Sequence, residues 1–145
     1  MWFIRKRRRK RVDKLYTDNK EIARNLIHSR LEYWAPICGV SYKKVAIRNQ
    51  KRSWGSCSSL GNLNFSYKLL FLPHCLRDYI IIHELCHLKE LNHGPKFWAE
   101  VSNVMPEYKN YIKELRTIER TKGTGVRVLH TTTKEHSCEY CLECR

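Results

Sequence analysis

The sequence contains no apolar run that could cross a membrane, for which about 18 consecutive residues are needed. It also lacks the order of a secretory signal, because the apolar residues of MWFIRKRRRKRV precede the basic ones instead of following them. Its seven cysteines are an odd number and form no even framework of pairs. These absences predict a cytoplasmic protein without a membrane partner, whose thiols are free or bind metal.

Acidic residues are scarce in the first third of the chain, and this gives the protein an uneven charge. Residues 1–52 contain 16 Lys/Arg against four Asp/Glu, and residues 53–145 contain 12 against 10. A basic segment attracts polyanions by neutralising phosphates and releasing counterions. The charge therefore predicts weak, nonspecific nucleic-acid binding through the N-terminal arm. The alternative is a solvated basic segment without a dedicated partner.

The length of 145 residues allows one domain with a two-layer core, but not two independent cores. Composition divides the chain into a basic arm at residues 1–17, a folded domain at residues 18–122 and a polar tail at residues 123–145. The tail contains three cysteines with CxxCxxC spacing, Cys138, Cys141 and Cys144. A structural zinc site usually has two separated pairs, and an iron–sulfur cluster requires a fourth cysteine. We expect a flexible tail with free thiols, with a small metal site as the alternative.

Alternation of apolar and polar residues predicts two half-buried strands, one around Val45 and Ile47 and one around Leu63 and Phe65. Ser59-Leu60-Gly61-Asn62, before the second of these strands, has the composition of a hairpin turn. We therefore expect an α+β fold in which a small antiparallel sheet packs on helices.

Four segments have the periodicity of amphipathic helices. The first is expected to begin with a cap at Asp18, which precedes a glutamate by three positions, and to stop at Pro36 and Gly39. The second is LPHCLRDYIIIHELCHLKELN, which reads as one long helix to Asn92. Pro95 and Pro106 can each open one of the remaining helices, because proline is favoured in the first turn.

The long predicted helix contains HELCHLKELNH, residues 83–93. Residues four apart on a helix lie on the same face, so His83 and His87 can direct both imidazoles at one ion. Glu84 lies one step around the helix, where it can reach a water molecule bound to that ion. This arrangement is the HExxH motif, in which the carboxylate is the general base.

A catalytic zinc ion requires a third protein ligand, and His93 is the favoured candidate. On a straight helix His93 would lie about 9 Å beyond His87 along the axis, too far to share the ion. A turn at Asn92, next to two further helix breakers, would bring it back. Glu100 is the alternative third ligand. The metzincin motif has glycine at the position of Glu90, which makes a true metzincin a poor match.

Three segments, RSWGSCSSLGNLNF, LLFLP and RDYIIIHELCHLKELNHGPKFW, resemble the YgjP-like metallopeptidase family, an M48-like group of predicted metal-dependent hydrolases. The resemblance covers residues 18–118. It implies an α+β zincin-like fold, one zinc ion on His83, His87 and His93, and Glu84 as the base. SprT-like and WLM proteases, which act on protein crosslinked to DNA, have similar motifs and are more distant relatives.

Several other residues have both a functional and a structural interpretation. In zincins an edge strand before the zinc helix pairs with extended substrate, so Trp54-Gly55 could let a substrate approach, or could form a structural bulge. Cys57 has no evident partner base and is predicted to be structural, as is Cys86 inside the motif. The remaining candidates are predicted to pack in the core: Met105, Tyr108 and Tyr111.

These observations predict a zinc-dependent hydrolase, in the first place a metallopeptidase that cleaves peptide bonds with a zinc-activated water. One alternative is hydrolysis of a non-peptide substrate such as a nucleotide, because the motif determines the metal chemistry better than the substrate. Another is a SprT-like protease associated with nucleic acid. The alternative from a different class is a nucleic-acid-binding module stabilised by zinc. Glu84 argues against that module, since a structural ion needs no carboxylate beside an open coordination position.

Overall fold

The computed structural model describes residues 13–122, so most of the predicted basic arm and the predicted tail lie outside the described residues. The described elements, in chain order, are α1 (Lys14–Cys38), β1 (Lys44–Arg48), β2 (Gly55–Cys57), β3 (Asn62–Ser66), a 3₁₀ helix (Tyr67–Phe71), α2 (His74–Cys86), α3 (Pro95–Val104) and α4 (Tyr108–Lys122). The expected α+β class is confirmed. In the described part of the chain, no helix is both long and apolar enough to span a membrane.

Helix α1 begins earlier than the sequence suggested. Its cap is Asp13, whose carboxylate accepts a hydrogen bond of 3.3 Å from the Tyr16 backbone N–H. The prediction of a cap at Asp18 is therefore wrong, because the donors of the first turn are already satisfied one turn earlier. Residues 14–17, assigned to the basic arm by composition, form the first turn of α1. The helix continues through Pro36 to Cys38 and is capped by Gly39, as the glycine indicated; Gly39 has a left-handed conformation with φ of 66°.

The sheet has the strand order β1-β3-β2 and is mixed rather than antiparallel, which corrects the expected topology. Strands β2 and β3 are antiparallel and are joined by a tight turn in which Gly61 has a φ of 81°. Strand β1 pairs with β3 in parallel. The chain reverses direction twice between β1 and β3, and β3 occupies the centre because its apolar residues Leu63 and Phe65 are fully buried. Strand β2 is thereby left at an edge.

A partly buried ion pair joins α1 to α2, the helix that carries the HExxH motif. Asp78, which is 5% exposed, accepts hydrogen bonds of 2.8 and 2.5 Å from the guanidinium group of Arg30. That guanidinium also lies over the rings of Tyr33 and Trp34, at 5.0 and 5.8 Å from their centroids. The burial of Asp78 is compatible with its charge because each of its two carboxylate oxygens accepts a hydrogen bond from the guanidinium group.

Helix α2 ends at Cys86, so the prediction of one helix as far as Asn92 is wrong. After the helix, the backbone N–H groups of Leu88 and Lys89 bond to carbonyls three residues back, each at 3.0 Å. Such bonds tighten the last turn and lead the chain away from the helix axis. The chain therefore turns directly after His87, earlier than the glycine and proline signals indicated.

Candidate metal centre

Three imidazoles converge just beyond the end of α2. His83 belongs to the last turn of the helix, His87 is its C-terminal cap, and His93 follows in the loop before α3. Their Nε2 atoms are separated by 3.2 Å (His83 to His87), 3.0 Å (His87 to His93) and 3.1 Å (His83 to His93). The early turn is what brings His93 back to the other two, since a continued helix would have carried it away.

The donor set fits a zinc ion. Zn–N bonds of about 2.0–2.1 Å in a tetrahedral site place neighbouring nitrogen ligands about 3.3 Å apart. The three observed separations, 3.0 to 3.2 Å, are close to that value. Three imidazole ligands also leave one of four positions open, which is the ligand count of catalytic zinc sites.

Hydrogen bonds at the opposite ring nitrogens hold two of these imidazoles in place. Nδ1 of His87 lies 3.0 Å from the carbonyl oxygen of Glu90, a pure acceptor, so Nδ1 carries the proton and Nε2 is free to bind a metal. Nδ1 of His83 lies 3.4 Å from the Tyr79 hydroxyl. Burial, followed by the charges of nearby groups, raises the pKa of Tyr79 to about 12, so this hydroxyl keeps its proton at neutral pH.

The environment keeps two of the imidazoles, those of His83 and His87, neutral. Burial, together with the neighbouring His87 and His93, lowers the pKa of His83 to about 3. Burial is also the main reason that the pKa of His87 is lowered. A neutral imidazole has the lone pair that a metal ligand needs, so metal binding at these two residues does not have to displace a proton near neutral pH.

Two aromatic residues at the start of α3 support the cluster, and the sequence analysis singled out neither of them. Phe97 is fully buried, and its ring centroid lies 4.9, 4.4 and 4.9 Å from those of His83, His87 and His93. Trp98 stacks on His93 at 5.9 Å and donates a hydrogen bond of 3.1 Å to its carbonyl oxygen. Their position shortly after Gly94-Pro95 was the sequence signal that could have identified them, since it places them on α3, which packs beneath the loop that carries His93.

Glu84 lies beside the cluster and is covered by strand β2. Its side chain is 7% exposed, and burial raises its pKa to about 7. A Cβ added to Gly55 would lie 2.9 Å from Cγ of Glu84 and 3.0 Å from Oε1. A real Cβ does not tolerate that distance, so the close backbone approach expected at Gly55 is made to the Glu84 side chain.

Three of the other candidates lie outside the cluster. Glu100, the alternative third ligand, pairs with the ammonium group of Lys89 at 2.8 Å. Cys57 is half-buried in β2, where burial and then Glu84 raise its pKa to about 11, so it remains a thiol at neutral pH. Cys86 is buried, and the neighbouring Cys38 together with burial raises the pKa of its thiol. These contacts agree with the structural roles predicted for both cysteines.

The candidates from the last two helices pack in the core or against it. Met105 is 6% exposed, as is Tyr111, whose ring stacks on Tyr79 at 6.2 Å. Tyr108 is half-buried and stacks on Trp98 at 5.2 Å. The packing predicted for these three residues is confirmed.

Comparisons with known proteins identify similar sequences and folds. A family model described as YgjP-like, metallopeptidase domain, matches residues 4–118. The crystal structure of the metallopeptidase zymogen of Pyrococcus abyssi abylysin is 32% identical, with a TM-score of 0.58 over 63% of this chain and 92% of that chain. That of Methanocaldococcus jannaschii jannalysin, also a metallopeptidase zymogen, is 26% identical, with a TM-score of 0.48 over 68% of this chain and 96% of that chain. No curated protein matches the sequence.

Proposed function

Because the chain belongs to the YgjP-like metallopeptidase family, it is a metallopeptidase, and we propose that its metal ion is zinc, bound by three histidines, with a neighbouring glutamate as general base. The ligands in this proposal are His83, His87 and His93, and the base is Glu84. The observation that supports it best is the convergence of three Nε2 atoms within 3.0–3.2 Å of one another.

The protein's own residues position the ligand set and provide the general base. When bound, the zinc ion lowers the pKa of its water to about 7 and polarises the scissile carbonyl. Glu84 takes up a proton from the attacking water and returns it to the leaving amine. The fixed imidazoles and the buried Phe97 hold the ligand set in one geometry, so little reorganisation is needed during the reaction.

The substrate in this proposal is an extended peptide or an unfolded protein segment. Within the described residues, β2 pairs only with β3, so its other edge offers unpaired N–H and C=O groups. An extended peptide can add to such an edge through main-chain hydrogen bonds. Gly55 in this strand touches Glu84, so a peptide on β2 would pass beside the base.

The proposal is tested with the purified full-length protein and three substrate classes: unfolded protein, DNA–protein conjugate and nucleoside triphosphate. We expect cleavage of the unfolded protein, loss of cleavage after treatment with a chelator, and recovery on addition of zinc. Turnover of the nucleotide alone would instead support the non-peptide alternative. Cleavage of the conjugate alone would support a SprT-like protease.

Replacing Gly55 by alanine is expected to lower peptidase activity while metal content stays unchanged. The added Cβ would collide with the Glu84 side chain, so either β2 or the carboxylate has to move. A displacement of about 1 Å at a reacting group can cost about 10²-fold in rate. The measurement is kcat together with the zinc content of the purified variant.

Gly94→Ala is the matched control for this substitution. A Cβ at Gly94 would meet no atom within 4 Å, and its φ of −83° suits any residue. We expect this variant to keep the parent activity. Equal activity of Gly55→Ala and the parent protein would show that the contact with Glu84 has no catalytic importance.

We also propose weak, sequence-independent nucleic-acid binding by the basic N-terminal segment. The excess of 16 Lys/Arg over four Asp/Glu in residues 1–52 supports this proposal. Affinity for duplex DNA should fall with salt, with a slope in log–log form of about −0.9 per phosphate neutralised. Deletion of residues 1–11 should weaken the binding. An unchanged affinity after this deletion would contradict a role for the segment.

A further inference from the structure

A pocket of about 360 Å³ opens at the beginning of β2 and has no part in the chemistry described above. We call it the basic pocket. Its lining includes Gln50, Lys51, Arg52, Trp54, Lys68 and Glu119. The volume lies at the lower end of the range of about 300–1,000 Å³ found for small-ligand sites, which suits a single side chain or chain end.

The basic pocket adjoins the candidate base through the backbone of β2. The carbonyl oxygen of Trp54 accepts a hydrogen bond of 2.8 Å from Ser66, which extends the β2–β3 pairing by one residue. The next residue, Gly55, is the one that touches Glu84. Successive strand residues are about 3.3 Å apart, so a peptide on the edge of β2 would reach the pocket within one or two residues of Glu84.

Positive charge predominates in the basic pocket. Three cations, Lys51, Arg52 and Lys68, face one carboxylate, Glu119, which accepts a hydrogen bond of 3.0 Å from the Trp54 indole N–H. Lys68 also interacts electrostatically with Asp13. Lys51 and Arg52 are exposed, and neither forms a salt bridge with any residue between positions 13 and 122. Two cations therefore remain available to a ligand.

The basic pocket also contains an acceptor without a donor. The side-chain oxygen of Gln50 is buried, and no donor to it is present among the described residues. A buried polar atom of this kind is costly unless a partner is supplied. For the two available cations, a peptide ligand carries an anionic group in its acidic side chains or at its C-terminus.

We propose that the basic pocket binds an anionic group of the peptide substrate, either an acidic side chain or the C-terminal carboxylate, on the C-terminal side of the scissile bond. This inference rests on the proposed function. The side follows from the direction of the strand, because antiparallel pairing is the slightly more stable mode. A substrate strand antiparallel to β2 passes Gly55 and then, towards its own C-terminus, passes the residues that precede Gly55 in this protein. The substrate residues at the pocket therefore lie on the C-terminal side of the cleaved bond.

The test uses short fluorescent peptides that are identical except for one central residue, Glu, Gln or Lys, each with a free or an amidated C-terminus. Cleavage is measured with the zinc-loaded parent protein, and binding with the zinc-loaded Glu84→Gln variant, which should not turn the peptides over. We expect the Glu peptide or the free C-terminus to bind about tenfold more tightly than its neutral counterpart, and this preference should weaken with salt. A preference for the Glu peptide would identify an acidic side chain as the anionic group, and a preference for the free C-terminus would identify the terminal carboxylate.

The residues are tested by reversing the two available charges, in the variant Lys51→Glu/Arg52→Glu. The ratio between anionic and neutral peptide affinities should fall to about one or invert. The matched control is Lys109→Glu/Lys113→Glu, which makes the same change in charge at two exposed positions of α4 and should retain the parent ratio. An equal loss in both variants would show a general charge effect and overturn the proposal, as would preference for the Lys peptide.

Cleavage and binding separate this inference from the proposed function. Cleavage with no preference for an anionic peptide would overturn the basic pocket as a recognition site and leave the peptidase intact. Selective binding of anionic peptides without any cleavage would overturn the proposed peptidase chemistry and support the pocket as a binding site. Absence of both cleavage and selective binding would overturn both.

Discussion

Replacing Glu84 by glutamine is expected to lower kcat by at least about 10²–10⁴-fold, the range typical of general-base assistance. Glutamine keeps the shape of the side chain and can still form a hydrogen bond with the attacking water, but it cannot accept its proton. Zinc content and thermal stability should change little, because the proposed ligands are the three histidines. The measurements are kcat, metal analysis and thermal unfolding of the same preparation.

Glu100→Gln is the control for this substitution, since it makes the same chemical change at a glutamate that pairs with Lys89 outside the histidine cluster. It should leave kcat close to the parent value. Loss of zinc together with activity in Glu84→Gln would mean that Glu84 is a ligand or supports one. Activity within about tenfold of the parent would fall short of general-base assistance and mean that the water is activated in another way.

Replacing His93 by alanine is expected to remove most of the zinc. The substitution leaves two imidazoles, four residues apart at the C-terminal end of α2, and a ligand set of that size does not hold a catalytic ion. Removal of a hydrogen-bond partner of a ligand typically weakens metal binding by about 10–100-fold, and removal of the ligand itself should cost more. His93 is exposed, so the fold should tolerate the change.

Zinc content should be measured in full-length protein in which the three tail cysteines are replaced by serine, so that CxxCxxC cannot contribute an ion. His28→Ala, at a half-buried position of α1, is the control and should retain the zinc of the parent. Full retention of zinc by His93→Ala would refute His93 as the third ligand. Retention that is lost on further replacement of Glu100 would identify the glutamate as the ligand instead.

Local sequence patterns were sufficient for the existence of the four helices and of two strands, β1 and β3, and for the identities of the candidate site residues. Alternation around Leu63 and Phe65 predicted β3, and the prolines at 95 and 106 indicated where α3 and α4 begin. The spacing of His83, Glu84 and His87 follows from helical geometry alone, because residues four apart share a face. These features depend on interactions between neighbours in the chain, and the sequence contains them directly.

Contacts between distant residues decided the rest. The sequence could not show that α2 ends at Cys86, because the turn is stabilised by His87 and Glu90 and by the packing of α3 rather than by a helix breaker at that position. It also could not show that β3, rather than β2, is central, since strand order depends on which strand buries more apolar surface. The contact between Gly55 and Glu84 joins residues 29 positions apart. The periodic pattern of apolar residues contains no information about such pairs, and only the packing of β2 against α2 brings these two residues together.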